Sequence, residues 1–548
     1  MQPTKDMNDS LSSIGRFINR YSYLLLFILF ALWICIGVFP LVCYEGDSME
    51  VIFGCEILHQ KGWILPPIQE YEYRMQPLTY IVVVAIRNIL PIFSCEQIYC
   101  FITMVSSFAF LIGCVEFARH ITHENRVKVL IAAMLLPEMY AIAMYPNSAI
   151  LSAACFIWAF FCICRRKYAI AAILMCIAPL FRVDVVIVYP ALFPMFFNEG
   201  KSLGKSIIYS GIYAIIVIIV VLFFYWLLHA RVLTSIFGYG HWNNTISTPQ
   251  VLMAIFGYYS LSYIILIPLG IFAIIRRKGW KELFLVLLPI IILHYVFRSM
   301  GCAAKHYLYL SPFVIIVGIR ALSWIITLVR EKSILKWISI AFVIMFYTIS
   351  IRIVPSSRPW FGKNILYNAA LIKPIYSAEI PSTKITAGIG AGQYAPTLDE
   401  IMLASGQLFY PLYIHIVKKE TQDSFANLKS IIEEQPYSNV QAVEWGIRGF
   451  FASMFLDDCH QLSFKKGFCK LTGEGNTINI LNLKMVEEES EARALVDRLK
   501  SLDMPLMDKI YIIAHTPHIR TCFDQLASEG LVEKVDERLY LLKINSSL

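Results

Sequence analysis

The sequence predicts a polytopic α-helical membrane domain of about eleven spans over residues 1–354, followed by a soluble α/β domain over residues 355–548. Three observations carry this. The chain is 58% hydrophobic and 16% charged, with a mean hydropathy of +0.62. A soluble globular chain is roughly 45–50% apolar and about 25% charged. The apolar runs recur from Tyr21 to Val354 and then give way to a mixed pattern. Basic residues gather in alternate connections between the runs, which sets their direction.

The first run follows a polar leader with Lys5, Arg16 and Arg20 and no small-residue cleavage site, so it reads as an uncleaved anchor. Spans are expected at about 21–43, 98–118, 128–145, 148–164, 168–181, 184–198, 206–229, 252–275, 282–297, 307–328 and 335–354. A run such as Ser206–Leu228 meets the roughly 20 residues a bilayer requires. With the N-terminus in the cytoplasm, Arg119, Arg126, Arg165, Arg166, Lys167, Lys201, Lys205, Arg276, Arg277, Lys278, Lys281, Arg330 and Lys332 all fall inside. Lys61, Arg74, Arg87, Arg182, Arg231, Arg298 and Lys305 fall outside. This parity decides two ambiguous stretches. Pro77–Phe93 contains Arg87 and, counted as a span, would invert every later loop, so it is expected as an interfacial helix. Tyr168–Phe197 is read as two short spans joined by an outer turn at Arg182–Asp184. The C-terminal domain then lies in a periplasmic or lumenal space.

The net charge of +8 fits topology-setting loops and gives no reason to invoke nucleic acid. The fourteen cysteines fall mostly in apolar runs, without metal-type spacing. Cys459 and Cys469 are available for a disulfide in an oxidising compartment. In the C-terminal domain, strands are expected at Lys384–Gly388, Val440–Trp445, Ile478–Leu483, Ile510–His515 and Leu539–Ile544. Helices are expected at Ser424–Glu434, Glu487–Leu502 and Thr521–Glu529. No phosphate-binding glycine pattern follows a strand, and Gly388–Gly392 reads as a turn.

Polar residues at the outer span ends are the candidates for chemistry. The long first outer loop, 44–97, opens Glu45-Gly46-Asp47-Ser48-Met49-Glu50. It continues through Lys61-Gly62-Trp63 to Tyr71-Glu72-Tyr73-Arg74-Met75-Gln76-Pro77-Leu78-Thr79-Tyr80. Asn147 sits at the second outer turn, in Tyr145-Pro146-Asn147-Ser148. A later span begins Lys305-His306-Tyr307-Leu308-Tyr309-Leu310-Ser311-Pro312. His241 and Trp242 lie in the outer stretch Phe237–Asn244, where they suit sugar contacts or an interfacial aromatic belt. Glu138, inside the third span, suits a functional or a structural role equally. The pairs His120/His123 and His515/His518 read as surface residues. Asn243-Asn244-Thr245 and Asn545-Ser546-Ser547 carry meaning as sequons only in a eukaryotic lumen.

This order of elements resembles the GT-C glycosyltransferase superfamily. The nearest likeness is to protein O-mannosyltransferases and the aminoarabinose transferases of lipid A. A weaker likeness, at Asn147 and Lys305–Pro312, is to lipid-anchor mannosyltransferases. Asp47 stands for the family's loop-opening acid, Glu56-Ile57-Leu58 for its surface helix, Gly62-Trp63 for its turn, and Gln76–Tyr80 for its last loop element. The resemblance implies transfer of a sugar from a polyprenyl-phosphate donor to an acceptor hydroxyl of a glycan, lipid or protein at the outer face. A bacterial inner membrane is the expected setting. It implies Asp47 as general base; charge parity puts Arg74, Arg182, Arg298, Lys305 and His306 at the outer face, where they suit the donor phosphate or, alternatively, snorkel at helix ends. Glu50, Asn147, Asp184, His241, Trp242 and Tyr309 are the candidates for sugar or acceptor. Ser48 and Asn147 stand where relatives carry acids, and a divalent cation prefers several carboxylates, so no metal or other cofactor is expected. A transporter or flippase of lipid-linked sugars is the main alternative. The sequence shows no internal repeat of the kind such proteins often have, and its polar candidates cluster on one face. A polymerase or ligase of lipid-linked glycans is the third reading.

Overall fold

Polar punctuation ends the apolar runs as helices of definite length. In the computed structural model, the described residues of the membrane half are 46–60, 76–136, 146–227, 261–300 and 308–329, with most of 24–41. In the C-terminal half they are chiefly the strands and helices named below, 426–432 among them. The helices are α1 (Leu26–Val38), α2 (Gly46–Gln60), α3 (Pro77–Ile89), α4 (Cys95–Thr122), α5 (Arg126–Met134) and α6 (Ser148–Cys164). They continue with α7 (Tyr168–Phe181), α8 (Leu192–Asn198), α9 (Leu203–Leu227), α10 (Leu261–Arg276), α11 (Trp280–Met300) and α12 (Ser311–Val329). Short 3-10 turns, Val183–Ala191 and Leu308–Leu310, lead into α8 and α12.

Caps fix several of the starts. Ser94 Oγ accepts from Gln97 N at 3.2 Å while Gln97 Oε1 accepts from Ser94 N at 3.1 Å, a reciprocal box at the head of α4. Asn125 and Asn147 cap α5 and α6 through their side-chain oxygens.

Among the described residues, three helices are long and apolar enough to cross a bilayer: Cys95–Thr122, Leu203–Trp226 and Leu308–Leu328. The two stretches settled by charge parity take the expected local form. Helix α3 has 13 residues, about 20 Å at helical rise, short of the roughly 30 Å hydrocarbon core. It buries one stripe, Thr79, Tyr80, Val83 and Val84. The chain breaks between α7 and the next turn at Arg182, whose backbone is extended. The last expected span, 335–354, needs a correction. Ile349–Ile353 form a strand, so a helix cannot run to 354; residues 330–348 lie outside the described residues.

Close backbone approach holds α10 on α12. A Cβ on Gly270 would stand 2.1 Å from the Val317 carbonyl oxygen, and one on Gly318 would meet the ring of Tyr263. Tyr263 in turn donates to Ala132 O of α5 at 2.6 Å. Gly270→Ala must therefore push α10 off α12. The expected loss is about 1–3 kcal/mol, the usual cost of overpacking, read as a lower unfolding midpoint in detergent. Gly211→Ala, where a Cβ meets nothing within 4 Å, should leave the midpoint unchanged.

The C-terminal half is α/β. Strands β1 (Ile349–Ile353), β2 (Lys363–Asn368) and β3 (Lys373–Glu379) form an antiparallel sheet. A seven-stranded mixed sheet has the order β5-β6-β7-β4-β8-β10-β9. Its strands are β4 (Tyr437–Ala442), β5 (Cys459–Lys465), β6 (Phe468–Gly473), β7 (Thr477–Ile480), β8 (Lys509–Ile513), β9 (Glu533–Lys534) and β10 (Leu539–Lys543). Strand β4 runs parallel to both β7 and β8; the other pairs are antiparallel. Period-two alternation divides the apolar residues between two layers. Ile510, Ile512, Tyr540 and Leu542 pack with helices Glu489–Lys500 and Pro517–Ser528. Tyr511, Ile513, Leu539 and Leu541 fall in a separate apolar group with Leu428 and Ile432 of the helix at 426–432.

Four of the expected strands and all three expected helices appear, within a few residues at each end. Lys384–Gly388 and the Gly388–Gly392 turn lie outside the described residues. A Cys459–Cys469 disulfide, which the sequence left open, does not fit the β5–β6 register. Cys459 sits opposite Gly473 and Cys469 opposite Phe464, which puts the two cysteines four residues apart along β6 and five along the bulged β5. At about 3.4 Å per residue that is roughly 14–17 Å, against the 4.4–6.8 Å a disulfide spans between Cα atoms.

Candidate functional site

The site is assembled from three chain breaks, where helices begin or end. Helix α2 starts at Gly46, directly before Asp47, and Ser48 of its first turn donates to the carbonyl of Pro146. That bond sets the head of α2 against the head of α6. There Asn147 Oδ1 accepts from Ala149 N at 2.8 Å, and Asn147 N donates to Thr103 Oγ1 of α4 at 3.3 Å. Asn147 is thus a buried cap that orders the turn. Glu56, in α2, accepts from Cys95 N at 3.0 Å and so satisfies an orphan donor at the head of α4.

One turn further along α6 from Ser148, Ser152 donates to the carbonyls of Ala178 at 2.9 Å and Arg182 at 3.3 Å. This ties α6 to the break after α7. At that break Arg182 Nε bonds Asp184 Oδ2 at 2.8 Å, with the two side chains 11% and 15% exposed. The phenol of Tyr309 donates to the other oxygen, Asp184 Oδ1, at 2.9 Å. Asp184 is therefore held from two sides, and it holds Arg182 in place. Asn147, the Arg182–Asp184 pair and Tyr309, from three separate parts of the chain, stand on elements that Ser152 and the Asp184 carboxylate tie together, with the α2 head added through Ser48.

Among the described residues, buried polar atoms without a hydrogen-bond partner include Gln76 Oε1 and Thr79 Oγ1 at the head of α3, Ser148 Oγ, Tyr225 Oη near the end of α9, and Ser311 Oγ. Buried polar groups are normally satisfied; of these atoms, Ser148 Oγ lies next to Asn147 at the head of α6 and Ser311 Oγ at the head of α12, just after the turn that carries Tyr309. Ser152 and Tyr225 were not legible as site residues: a serine and a tyrosine in apolar runs carry no signal of their own. The four-residue spacing of Ser148 and Ser152, one helical face, is the only hint for Ser152.

Other expected site residues are not placed. Asp47 and Glu50 belong to α2 and Arg298 to α11, but their side chains lie outside the described residues. So do Arg74, His241, Trp242, Lys305 and His306, and Glu138, His515 and His518 among the weaker candidates. One reading is corrected. His120 is not a free surface residue: it is half-buried and bonds Glu199 Oε1 at 3.2 Å. His123 is exposed, as expected.

No protein-family model matches the sequence, and no curated protein matches it. Solved structures do. A crystal structure of ArnT from Cupriavidus metallidurans bound to undecaprenyl phosphate matches 96% of this chain and 99% of its own, at TM-score 0.54 and 12% identity. The apo state of the same protein matches with the same coverage at TM-score 0.52 and 12% identity. The fold is that of ArnT. ArnT is a lipid A aminoarabinose transferase of GT-C fold, so the expected GT-C resemblance holds for the architecture. The match reaches beyond the helical half: covering 96% of the chain, it takes in most of the C-terminal half as well.

Proposed function

We infer that this chain is a membrane glycosyltransferase that moves a sugar from a polyprenyl-phosphate-linked donor to an acceptor hydroxyl. The observation that carries the reading is that α6 is bonded both to the α2 head, at Pro146, and to the break that holds the Arg182–Asp184–Tyr309 cluster, through Ser152, within an ArnT-like fold. A fold by itself hosts many functions; this cluster supplies what the chemistry needs. The donor has an apolar tail and an anionic head. Arg182, rigid and set among apolar helices, is suited to the phosphate. Asp47, opening α2, is positioned in the chain to take the acceptor proton. Arg74, Arg298, Lys305 and His306 complete the basic lining, and Glu50, Asn147, Asp184, His241, Trp242 and Tyr309 serve the sugar or acceptor.

The reading includes eleven spans with the N-terminus in the cytoplasm and the α/β domain, residues 355–548, on the periplasmic or lumenal side of a bacterial inner membrane. The end-to-end contacts support it. The described bonds of Ser48, Asn147, Ser152, Asp184 and Tyr309 join ends that charge parity assigns outside. Contacts of His120, Glu199, Glu282 and Arg320 join only ends it assigns inside. No metal is part of the proposal.

The test is transfer and binding by the purified protein in lipid nanodiscs with undecaprenyl phosphate and its glycosylated form. Arg182→Ala should weaken undecaprenyl-phosphate binding about tenfold or more, the equivalent of one charge-assisted hydrogen bond of roughly 1.5–3 kcal/mol. Asp184→Asn should weaken it less, since the neutral amide still accepts from Arg182. Unchanged affinity in Arg182→Ala would remove Arg182 from the phosphate site. In sealed liposomes, movement of intact donor across the membrane with no transferred sugar would favour the flippase reading.

A further inference from the structure

At the opposite ends of the helices from this site, three side chains with metal-binding atoms converge. They are His120 in the last turn of α4, Cys164 at the last residue of α6, and Glu199 at the C-cap of α8. One donor atom from each lies within 4.8 Å of the others, with His120 Nε2 and Glu199 Oε1 at 3.2 Å. In a tetrahedral zinc site, bonds of 2.0–2.3 Å put neighbouring donor atoms roughly 3.3–3.6 Å apart. The imidazole–carboxylate edge is already at that length, and the thiol has at most roughly 1.2–1.5 Å to close.

The surroundings favour a cation in a second, independent way. All three residues stand at helix C-termini, where the unpaired carbonyls carry partial negative charge. Three neighbouring basic side chains have partners of their own. Arg119 pairs with Glu116 at 3.2 Å, Arg165 lies over the Phe161 ring at 5.6 Å, and Lys201 over Tyr209 at 5.7 Å.

We propose that His120, Cys164 and Glu199 form a binding site for a zinc-like divalent transition metal ion that pins the inner ends of α4, α6 and α8 together. Thiolate, imidazole and carboxylate in a four-coordinate geometry select zinc over magnesium or calcium, and water fills the fourth position. The site is separate from the transfer chemistry, and its role is to lock the helix ends.

Cobalt(II) reports the geometry directly. The purified full-length chain, titrated with Co²⁺ alone, should take up one equivalent per chain. It should show a thiolate-to-cobalt charge-transfer band together with strong tetrahedral absorption in the visible. Cys164→Ser should lose the charge-transfer band, whereas Cys35→Ser, on α1, should retain it. His120→Ala should weaken Zn²⁺ binding by at least the roughly 10–100-fold that loss of an outer-shell partner costs elsewhere, and should cancel the rise in unfolding midpoint that Zn²⁺ gives the wild type. Folded wild-type protein without a charge-transfer band would overturn the proposal. So would a band that survives Cys164→Ser.

Discussion

Asp47→Asn is expected to abolish sugar transfer while leaving undecaprenyl-phosphate binding close to that of the wild type. The substitution preserves size and the capacity to hydrogen-bond, and it removes the proton acceptor. General-base catalysis contributes typically 10²–10⁴-fold, so turnover should fall by about that factor or more. The variant should fold normally. Asp47 stands at the second residue of α2, and the contact that seats this end of the helix belongs to its neighbour Ser48. The contrast with Arg182→Ala is the informative part: loss of turnover with binding intact points to an interaction made in the transition state, and loss of both to a contact with the donor. Near-normal turnover in Asp47→Asn would withdraw the base assignment and with it the strongest single residue of the transferase reading.

Much of the helical half is legible because its two signals are independent. Apolar length sets where helices lie, and the sign of the loops sets which ends belong together. Neither signal alone breaks Tyr168–Phe197 at Arg182; parity requires a turn there, and the structure has an extended residue at that point. The same argument gathers Arg182 and Asp184 at one end with Tyr309. What it cannot give is which groups touch. That Asp184 is shared between Arg182 and Tyr309, or that Ser152 reaches the Arg182 carbonyl, depends on helix rotation, which an almost uniformly apolar α6 does not encode. His120 is misread for a related reason. A histidine beside a basic loop looks solvated until Glu199, 79 residues away, is brought to it by α8.

The C-terminal sheet shows the converse. Strands β8 and β10 are rich in isoleucine, leucine and tyrosine and announce themselves. The hairpin β5–β6 does not, because Leu462 and Phe464 alternate with Gln461, Ser463 and Lys465, a half-buried pattern easily taken for loop. Period-two alternation either side of Lys466-Gly467 is the signal that finds it. Finding it would also have removed the disulfide, since the register alone separates Cys459 from Cys469.

Arg320→Met is expected to cost about 3–5 kcal/mol of stability, the range for removing one member of a buried ion pair. Arg320 is only 4% exposed and lies within the apolar run of α12, where a charge is costly unless paired. Its Nε and Nη2 bond the two oxygens of Glu282 at 2.6 and 2.8 Å, a two-pronged match, and Nη1 donates to the Thr122 carbonyl at 2.9 Å. One side chain therefore satisfies an orphan carbonyl at the end of α4 and neutralises the head of α11 while anchoring α12. Methionine fills much of the same volume but leaves the Glu282 carboxylate and the Thr122 carbonyl without this partner. The carboxylate is the larger loss, eased only in part by its place in the first turn of α11. Arg320→Lys should recover little, since an ammonium cannot bond both carboxylate oxygens and Thr122 in that planar arrangement. The double variant Arg320→Met/Glu282→Met should recover most of the loss, because a well-packed apolar replacement of a buried pair is often neutral. Unfolding midpoints of the three variants in detergent measure this. A double variant no more stable than Arg320→Met would show that the bond to Thr122, and not the ion pair, holds these ends. Because the pair lies at the far end of the bundle from Arg182, the folded fraction of every variant should bind undecaprenyl phosphate as the wild type does.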